Sequence, residues 1–317
     1  MNKKMKAALA IGLGTSAGLL ITSGLYFYNQ SVGLKKKIAH PDYDPINVVP
    51  NDPWKDEKEW FQSVDSEWMT VTSNDQLRLS GLFIPAKTES KKIAILAHGY
   101  NGNNKEMAPF SKLFHDLDFN LLLPDARGHG ESEGDYIGFG WPERRDYLVW
   151  IDELISRFGA SAEIILYGIS MGGATVLNVS GEDLPTNVKA VISDCAFSSV
   201  SKELAHQLRT SYKLPPHPFI PMTSFITKLK AGYWFHEAAP VEQVKKSDTP
   251  TLIIHGDADD FVPTSMAYDL YEALNTSKQL YIVPGAKHTY SYVTDKRAYE
   301  ETIEHFLDTH MARTVEF

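Results

Sequence analysis

Short apolar runs rich in β-favouring residues recur along most of the chain, and stretches with helical periodicity lie between them. Glu67 to Thr72 and Leu77 to Ile84 flank the polar tetrad Ser73-Asn74-Asp75-Gln76, which predicts a hairpin-like pair of strands closed by Pro85. Ile93 to Ala97, Asn120 to Leu123, Ile164 to Tyr167, Val188 to Ser193, Thr251 to His255 and Gln279 to Val283 predict further strands of the buried kind. Helices are expected from near Lys105, over Pro142 to Phe158, over Ser265 to Leu274 and over Asp295 to His310. Strands that alternate with helices call for a mostly parallel central sheet with helices on both faces, an α/β architecture.

Two stretches depart from this rhythm. Ala7 to Tyr28 is a run of 22 residues without a charge, preceded by Lys3, Lys4 and Lys6. As a helix it would reach roughly 33 Å, enough for a bilayer core of about 30 Å. Residues 1–37 are therefore expected to be an N-terminal membrane-spanning anchor, with a signal cleaved near Ser31-Val32-Gly33 as the competitor. Lysines balance on the two sides of the run, so the positive-inside rule barely decides orientation. The body is expected outside the cytoplasm, either tethered or secreted after cleavage. Residues 38–64 carry Pro41, Pro45, Pro50 and Pro53 with Trp54, Trp60 and Phe61, and read as a linker that becomes a packing arm, leaving 65–317 for the main domain. The second departure runs from Phe197 to Val244. It shows no clear strand but has Pro215, Pro216, Pro218, Pro221 and many aromatics, so a helical lid insertion is expected at about 198–244.

Composition narrows the class of protein. At 317 residues and 43% hydrophobic, the chain can bury a sizeable core. Its formal charge of -9 conceals six lysines and no acid within the first 40 residues; without them 25 basic groups face 40 acidic ones, a net charge of -15. A body that acidic repels polyanions, which excludes nucleic acid as a natural partner. Cys195 is the sole cysteine, so no intrachain disulfide forms. The eleven histidines show no H-E-x-x-H pattern, and neither a metal nor a cofactor is expected.

Chemistry concentrates after the Ile164 to Tyr167 strand. Gly168-Ile169-Ser170-Met171-Gly172 fits G-x-S-x-G, in which a strand turns abruptly into a helix and holds a serine at the apex. Glycines are required because neighbouring backbone passes too close for a Cβ. A serine hydroxyl is barely ionised at neutral pH and needs a base, which in turn needs a group to orient it. Two late strand ends supply partners: His255-Gly256-Asp257-Ala258-Asp259-Asp260-Phe261-Val262-Pro263, and Gly285-Ala286-Lys287-His288. In a parallel sheet the carboxyl ends of the strands lie on one side, so these loops can meet Ser170.

With those motifs in the order serine, acid, histidine, the chain resembles the α/β-hydrolases of the serine-hydrolase type over roughly Trp68 to His310. His98-Gly99-Tyr100 is similar to that family's H-G-x oxyanion loop, Asp125 to Ser132 to its D-x-R-G-x-G-x-S segment, and His255 to Asp259 to its H-G-x-x-D loop. The nearest likeness is to small bacterial hydrolases, membrane-anchored or exported, often labelled serine aminopeptidase-like and mostly simple esterases. The resemblance implies an α/β-hydrolase fold, Ser170 as nucleophile, His288 as general base and then acid, and Asp259 as its orienter, with Asp257 and Asp260 as rivals. It also implies an oxyanion hole from the backbone N–H groups of Tyr100 and Met171. His98, Arg127 and His129 read as loop braces and Cys195 as a core residue. Tyr212, Phe219, Phe225, Tyr233, Trp234 and Phe235 are either the lid's own core or an apolar substrate pocket, for which Phe219, Phe225, Tyr233 and Trp234 are the candidates. The expected activity is hydrolysis of small to medium apolar carboxylic esters through an acyl-serine. Peptidase, amidase or acyltransferase chemistry at the same site is the alternative, and a non-catalytic membrane-tethered binding protein is a third.

Overall fold

Alternation along the central strands explains why they are buried on both sides. In β3 (Lys92–Ala97) Ile93, Ile95 and Ala97 enter one apolar cluster while Ala94 and Leu96 enter the other. In β5 (Glu163–Ile169) Ile164 and Leu166 point to the first cluster, and Ile165, Tyr167 and Ile169 to the second. A strand with apolar residues at every position is stable only between two layers of helices.

The computed structural model describes residues 18–34 and 44–311. Its eight-stranded sheet has the order β1-β2-β4-β3-β5-β6-β7-β8. β1 (Glu67–Thr72), β2 (Arg78–Ile84) and β4 (Asn120–Pro124) pair antiparallel in that order, which forms the predicted hairpin. From β4 through β3, β5, β6 (Val188–Asp194), β7 (Thr251–Gly256) and β8 (Lys278–Val283) every pairing is parallel. Placing β3 between β4 and β5 brings the loops after β3, β5, β7 and β8 to one end of the sheet.

Helices cover both faces. The helix expected near Lys105 is a 3-10 turn, Asn104–Met107, that leads into α3 (Ala108–Asp116). α4 (Glu143–Phe158) and α5 (Met171–Ser180) pack on the first cluster, α3 and α11 (Lys296–His310) on the second. α9 (Ser265–Ala273) and the short α10 (Ser291–Thr294) complete the layers. Within 198–244 lie α6 (Val200–Ser211), α7 (Phe219–Ala231) and α8 (Pro240–Gln243), and no strand.

The amino-terminal expectation falls only in part on the described residues. Residues 1–17, with the first half of the uncharged run, lie outside the described residues. Residues 18–31 are helical (α1), and among the described residues no helix is long and apolar enough to cross a membrane. α1 instead lies against the lid: a Cβ on Gly24 would come within 2.5 Å of Met222 Cγ, and Phe27 meets Tyr212 and Phe219 edge-on at 5.4 and 5.6 Å. Tyr28 is buried with Lys230 Nζ 5.4 Å from its ring centroid. The chain then bonds to the body through Ile137 N–H to Val32 O and Leu34 N–H to Asp135 O. The physical reason is that an apolar helix face gains as much from a protein groove as from lipid. In the expected arm, α2 (Lys55–Ser63) buries Phe61 and sets Trp60 against His115, while Trp54 just before it lies against Tyr292.

Candidate active site

The turn from β5 into α5 is strained in the way its glycines anticipate. Ser170 has φ 56 and ψ -117, a backbone conformation that non-glycine residues rarely hold. A Cβ on Gly168 would sit 2.2 Å from Gly172 O, and one on Gly172 would sit 2.0 Å from Ala97 O, both rigid backbone. Ser170 N–H donates to Asp194 O at 2.8 Å and Ala174 N–H to Ser170 O, so the elbow is held from β6 and from its own helix.

Ser170 Oγ lies 2.9 Å from His288 Nε2, and His288 Nδ1 lies 2.7 Å from Asp259 Oδ2. A carboxylate can only accept, so the His288 proton belongs on Nδ1 and Nε2 is left to accept the Ser170 hydroxyl proton. Asp259 is tied on its other oxygen by the N–H groups of Phe261 (3.0 Å) and Val262 (2.8 Å). His255 Nε2 adds a contact to Oδ2 at 3.2 Å and donates to Val262 O at 2.9 Å. Burial alone would raise the Asp259 pKa, but the hydrogen bonds from His255 and His288 outweigh it and hold the carboxyl at about 2. Its rivals point elsewhere: Asp257 accepts from Gly285 N–H at the surface, and Asp260 is exposed. The H-G-x-x-D spacing thus brings one of three neighbouring acids to the histidine.

The loop after β3 comes against the elbow, where a Cβ on Gly99 would lie 3.8 Å from Ile169 O and from Ser170 Cβ. Tyr100 and Met171 both border the cavity beside Ser170. Met171 opens α5, and the first N–H groups of a helix have no intrahelical acceptor and carry a positive partial charge. His98, His129 and Asp125 brace this loop. His98 donates from Nδ1 to Gly99 O at 2.7 Å and accepts from Ala126 N–H at 3.0 Å; burial keeps it neutral, with its pKa lowered to about 3. His129 Nε2 reaches Tyr100 O at 2.8 Å. Asp125 accepts from Asn104 N–H and Nδ2 and from Glu131 N–H, while Arg127 grips Asp146 and Asp75 with two bonds each.

A cavity of about 200 Å³ opens beside Ser170. Its walls come from α1 (Phe27, Gln30, Ser31), from α6 (Glu203, Leu204, Gln207, Leu208), from Tyr212, Ile220 and Thr223, and from Phe139, Phe197, Phe261 and Val262. The pocket candidates Phe219, Phe225, Tyr233 and Trp234 are not in this lining, which corrects that expectation. Phe219 stands behind Phe27, Phe225 lies against Trp234, and Tyr233 is buried with its hydroxyl on Ile137 O. They are spent on packing lid to lid and lid to body, as their large apolar area favours. Three features of the site went unread in the sequence. The first is the wall that α1 gives the cavity through Phe27, Gln30 and Ser31; the aromatic trio Tyr26-Phe27-Tyr28 at the end of the uncharged run was no signal for it, since such residues equally suit the interfacial end of a bilayer span. Tyr100 OH bonds Ser31 O at 2.7 Å, so α1 is tied directly to the loop beside the serine. Glu203 reads in sequence as a solvated first-turn acid, yet it is 5% exposed.

Comparison with known proteins agrees with this architecture. The family model described as the prolyl oligopeptidase family matches residues 109–314, about two thirds of the chain. An uncharacterised protein of Bacillus subtilis is 31% identical over 303 residues, 96% of this chain and 97% of its own. An uncharacterised protein of Escherichia coli is 29% identical over 253 residues, 78% of each. Among solved structures, an esterase of Pyrococcus furiosus superposes with a TM-score of 0.66 at 22% identity, covering 84% of this chain and 97% of that one.

Proposed function

We propose that this chain, which belongs to the prolyl oligopeptidase family and is a hydrolase of the α/β-hydrolase superfamily, cleaves small to medium apolar carboxylic esters through an acyl-serine. The observation that carries the reading is the line of hydrogen bonds from Ser170 through His288 to Asp259, at 2.9 and 2.7 Å, beside a cavity with mostly apolar walls.

In the proposed cycle Ser170 Oγ attacks the ester carbonyl carbon while its proton passes to His288 Nε2. The Tyr100 and Met171 N–H groups would receive the oxyanion that forms. When that intermediate collapses, the bond to the alcohol oxygen breaks and His288 returns the proton to it. Water then attacks the acyl-serine, His288 takes its proton, and the acid leaves with Ser170 restored. Asp259, ionised by its histidine and backbone donors, holds His288 in the required tautomer and stabilises the imidazolium.

The family description favours a second reading, peptide or amide cleavage at the same serine. The proposal keeps attachment to a membrane through the amino-terminal segment, with the body outside the cytoplasm. Fluorophosphonate labelling is expected in the folded protein and lost in Ser170→Ala, and a folded chain that takes no label would sink the catalytic reading. Asp259→Asn is expected to lose about four orders of magnitude in kcat, while Asp257→Asn and Asp260→Asn stay within a fewfold. p-Nitrophenyl esters of increasing acyl length, set against aminoacyl anilides, decide between the two readings: faster anilide turnover would replace esterase by peptidase.

A further inference from the structure

Among the described residues that wall the cavity beside Ser170, the polar side chains are uncharged but for one acid. Glu203 is 5% exposed and lines it among Phe27, Phe197, Leu204 and Leu208. Its place follows from the helix: Ser199 caps α6, its side chain accepting from Lys202 N–H at 3.2 Å, and the next residue turns inward. One carboxyl oxygen is used locally, Oε1 accepting from Gln207 Nε2 at 2.8 Å across one helical turn. Gln207 Nε2 also donates to Phe261 O at 2.9 Å, and the Phe261 ring lies 4.9 Å from that of His288. The other oxygen, Oε2, is fully buried and has no hydrogen-bond partner among the described residues.

A buried, unpaired carboxyl oxygen is costly, and a purely hydrocarbon substrate would leave it so. We infer that Glu203 Oε2 is a recognition point for a hydrogen-bond donor, a hydroxyl or an ammonium, carried on the part of the substrate that fills the cavity beside Ser170. The substrate class is then a functionalised ester, hydroxy- or aminoacyl in kind, and not a plain alkyl ester. A site built around an unpaired acceptor discriminates strongly against an isostere that lacks the donor, whereas an apolar wall separates chain lengths only weakly. The inference rests on reading this cavity as the substrate site of an ester hydrolase.

The test is made in Ser170→Ala protein, so that binding is measured without cleavage and stands apart from the question of turnover. Methyl hexanoate is compared by calorimetry with its monohydroxy and monoamino derivatives, the substituent walked along the acyl chain one carbon at a time. At least one derivative is expected to bind about tenfold or more tightly than methyl hexanoate. Adding Glu203→Leu should collapse that ratio to about twofold or less and leave the plain ester bound at least as well. Adding Glu203→Gln, whose carbonyl oxygen goes on accepting from Gln207 while its NH2 takes the place of Oε2, puts a donor there and should lose an ammonium preference, whereas a hydroxyl, which accepts as well as donates, keeps part of its preference. If Glu203 only braced Gln207 and Phe261, both substitutions would weaken every ester alike and leave the ratios unchanged, and that result would overturn the inference. It is equally overturned if methyl hexanoate binds as tightly as all its derivatives. Should Glu203→Leu not fold, the ammonium-to-hydroxyl ratio in Glu203→Gln decides alone. Failure of the catalytic reading would show separately, as absence of fluorophosphonate labelling in the protein that retains Ser170, and failure of the ester reading as faster turnover of aminoacyl anilides than of esters.

Discussion

Two buried acids at the site, Asp259 and Glu203, are shifted in opposite directions, and the difference lies in their donors. Asp259 accepts from two backbone N–H groups and two histidines and titrates at about 2, whereas Glu203 has one amide donor and titrates at about 7, raised first by burial and further by the charge of Asp259. For Glu203 the folded value lies above the unfolded one, near 4.5. Its contribution to stability is therefore fully present below about pH 4.5 and is lost as pH rises through about 7, a change on the order of 3 kcal/mol. For Asp259 the sign reverses: stability is present above its unfolded value, near 3.8, and is lost as pH falls towards about 2. Glu203→Gln should then flatten the decline of Tm between about pH 5 and 8. Parallel Tm profiles for the two proteins would contradict the assignment. That Asp259, rather than Asp257 or Asp260, meets His288 was legible only through the resemblance of His255 to Asp259 to the family's H-G-x-x-D pattern. The burial of Glu203 was not, because nothing local distinguishes an inward acid from a solvated one in a helix's first turn.

At the scale of elements, the strands and main helices were legible and the substrate walls were not. β3 and β5 are apolar at successive positions because helices cover both faces, and that pattern is written in each strand separately. The walls form where α1, α6 and α7 meet, and a meeting of distant helices leaves no periodic trace. Phe27 illustrates the gap: its ring lines the cavity and packs on Tyr212 and Phe219, which lie nearly two hundred residues away. Phe27→Ala removes a ring from the wall, so the ratio of kcat/KM for long over short acyl esters should rise by about tenfold, the scale on which an apolar pocket distinguishes chain lengths. An unchanged chain-length profile would take α1 out of the specificity wall.

For the whole molecule, the amino-terminal segment has two claims on its apolar surface. The inward side of α1 belongs to the enzyme body, with Tyr28 buried and Ser31 bonded to Tyr100, while Leu19, Ile21 and Tyr26 are exposed. Under the proposed attachment, residues 1–17 and those exposed side chains meet the bilayer while the other side of α1 closes the cavity. The full chain is then expected in the membrane fraction, resistant to high salt, and deletion of residues 1–17 should release it to the soluble fraction with ester turnover within a fewfold. Recovery of the full chain as soluble protein would remove the anchor. A reporter fused after Phe317 reads the side on which the body lies.

What the residues determined by themselves was everything carried by local order: strand and helix alternation, the glycine-flanked turn at Ser170, and the spacing that makes Asp259 and His288 follow two late strands. Such features depend on sterics and periodicity over a few residues, so they survive without knowledge of the fold. The tertiary structure decided what depends on which distant surfaces share a boundary. It turned the end of an uncharged run into a cavity wall, sent Phe219, Phe225, Tyr233 and Trp234 into packing, and buried Glu203. Apolar side chains are driven out of water without regard to what receives them, and only the assembled fold names the receiver.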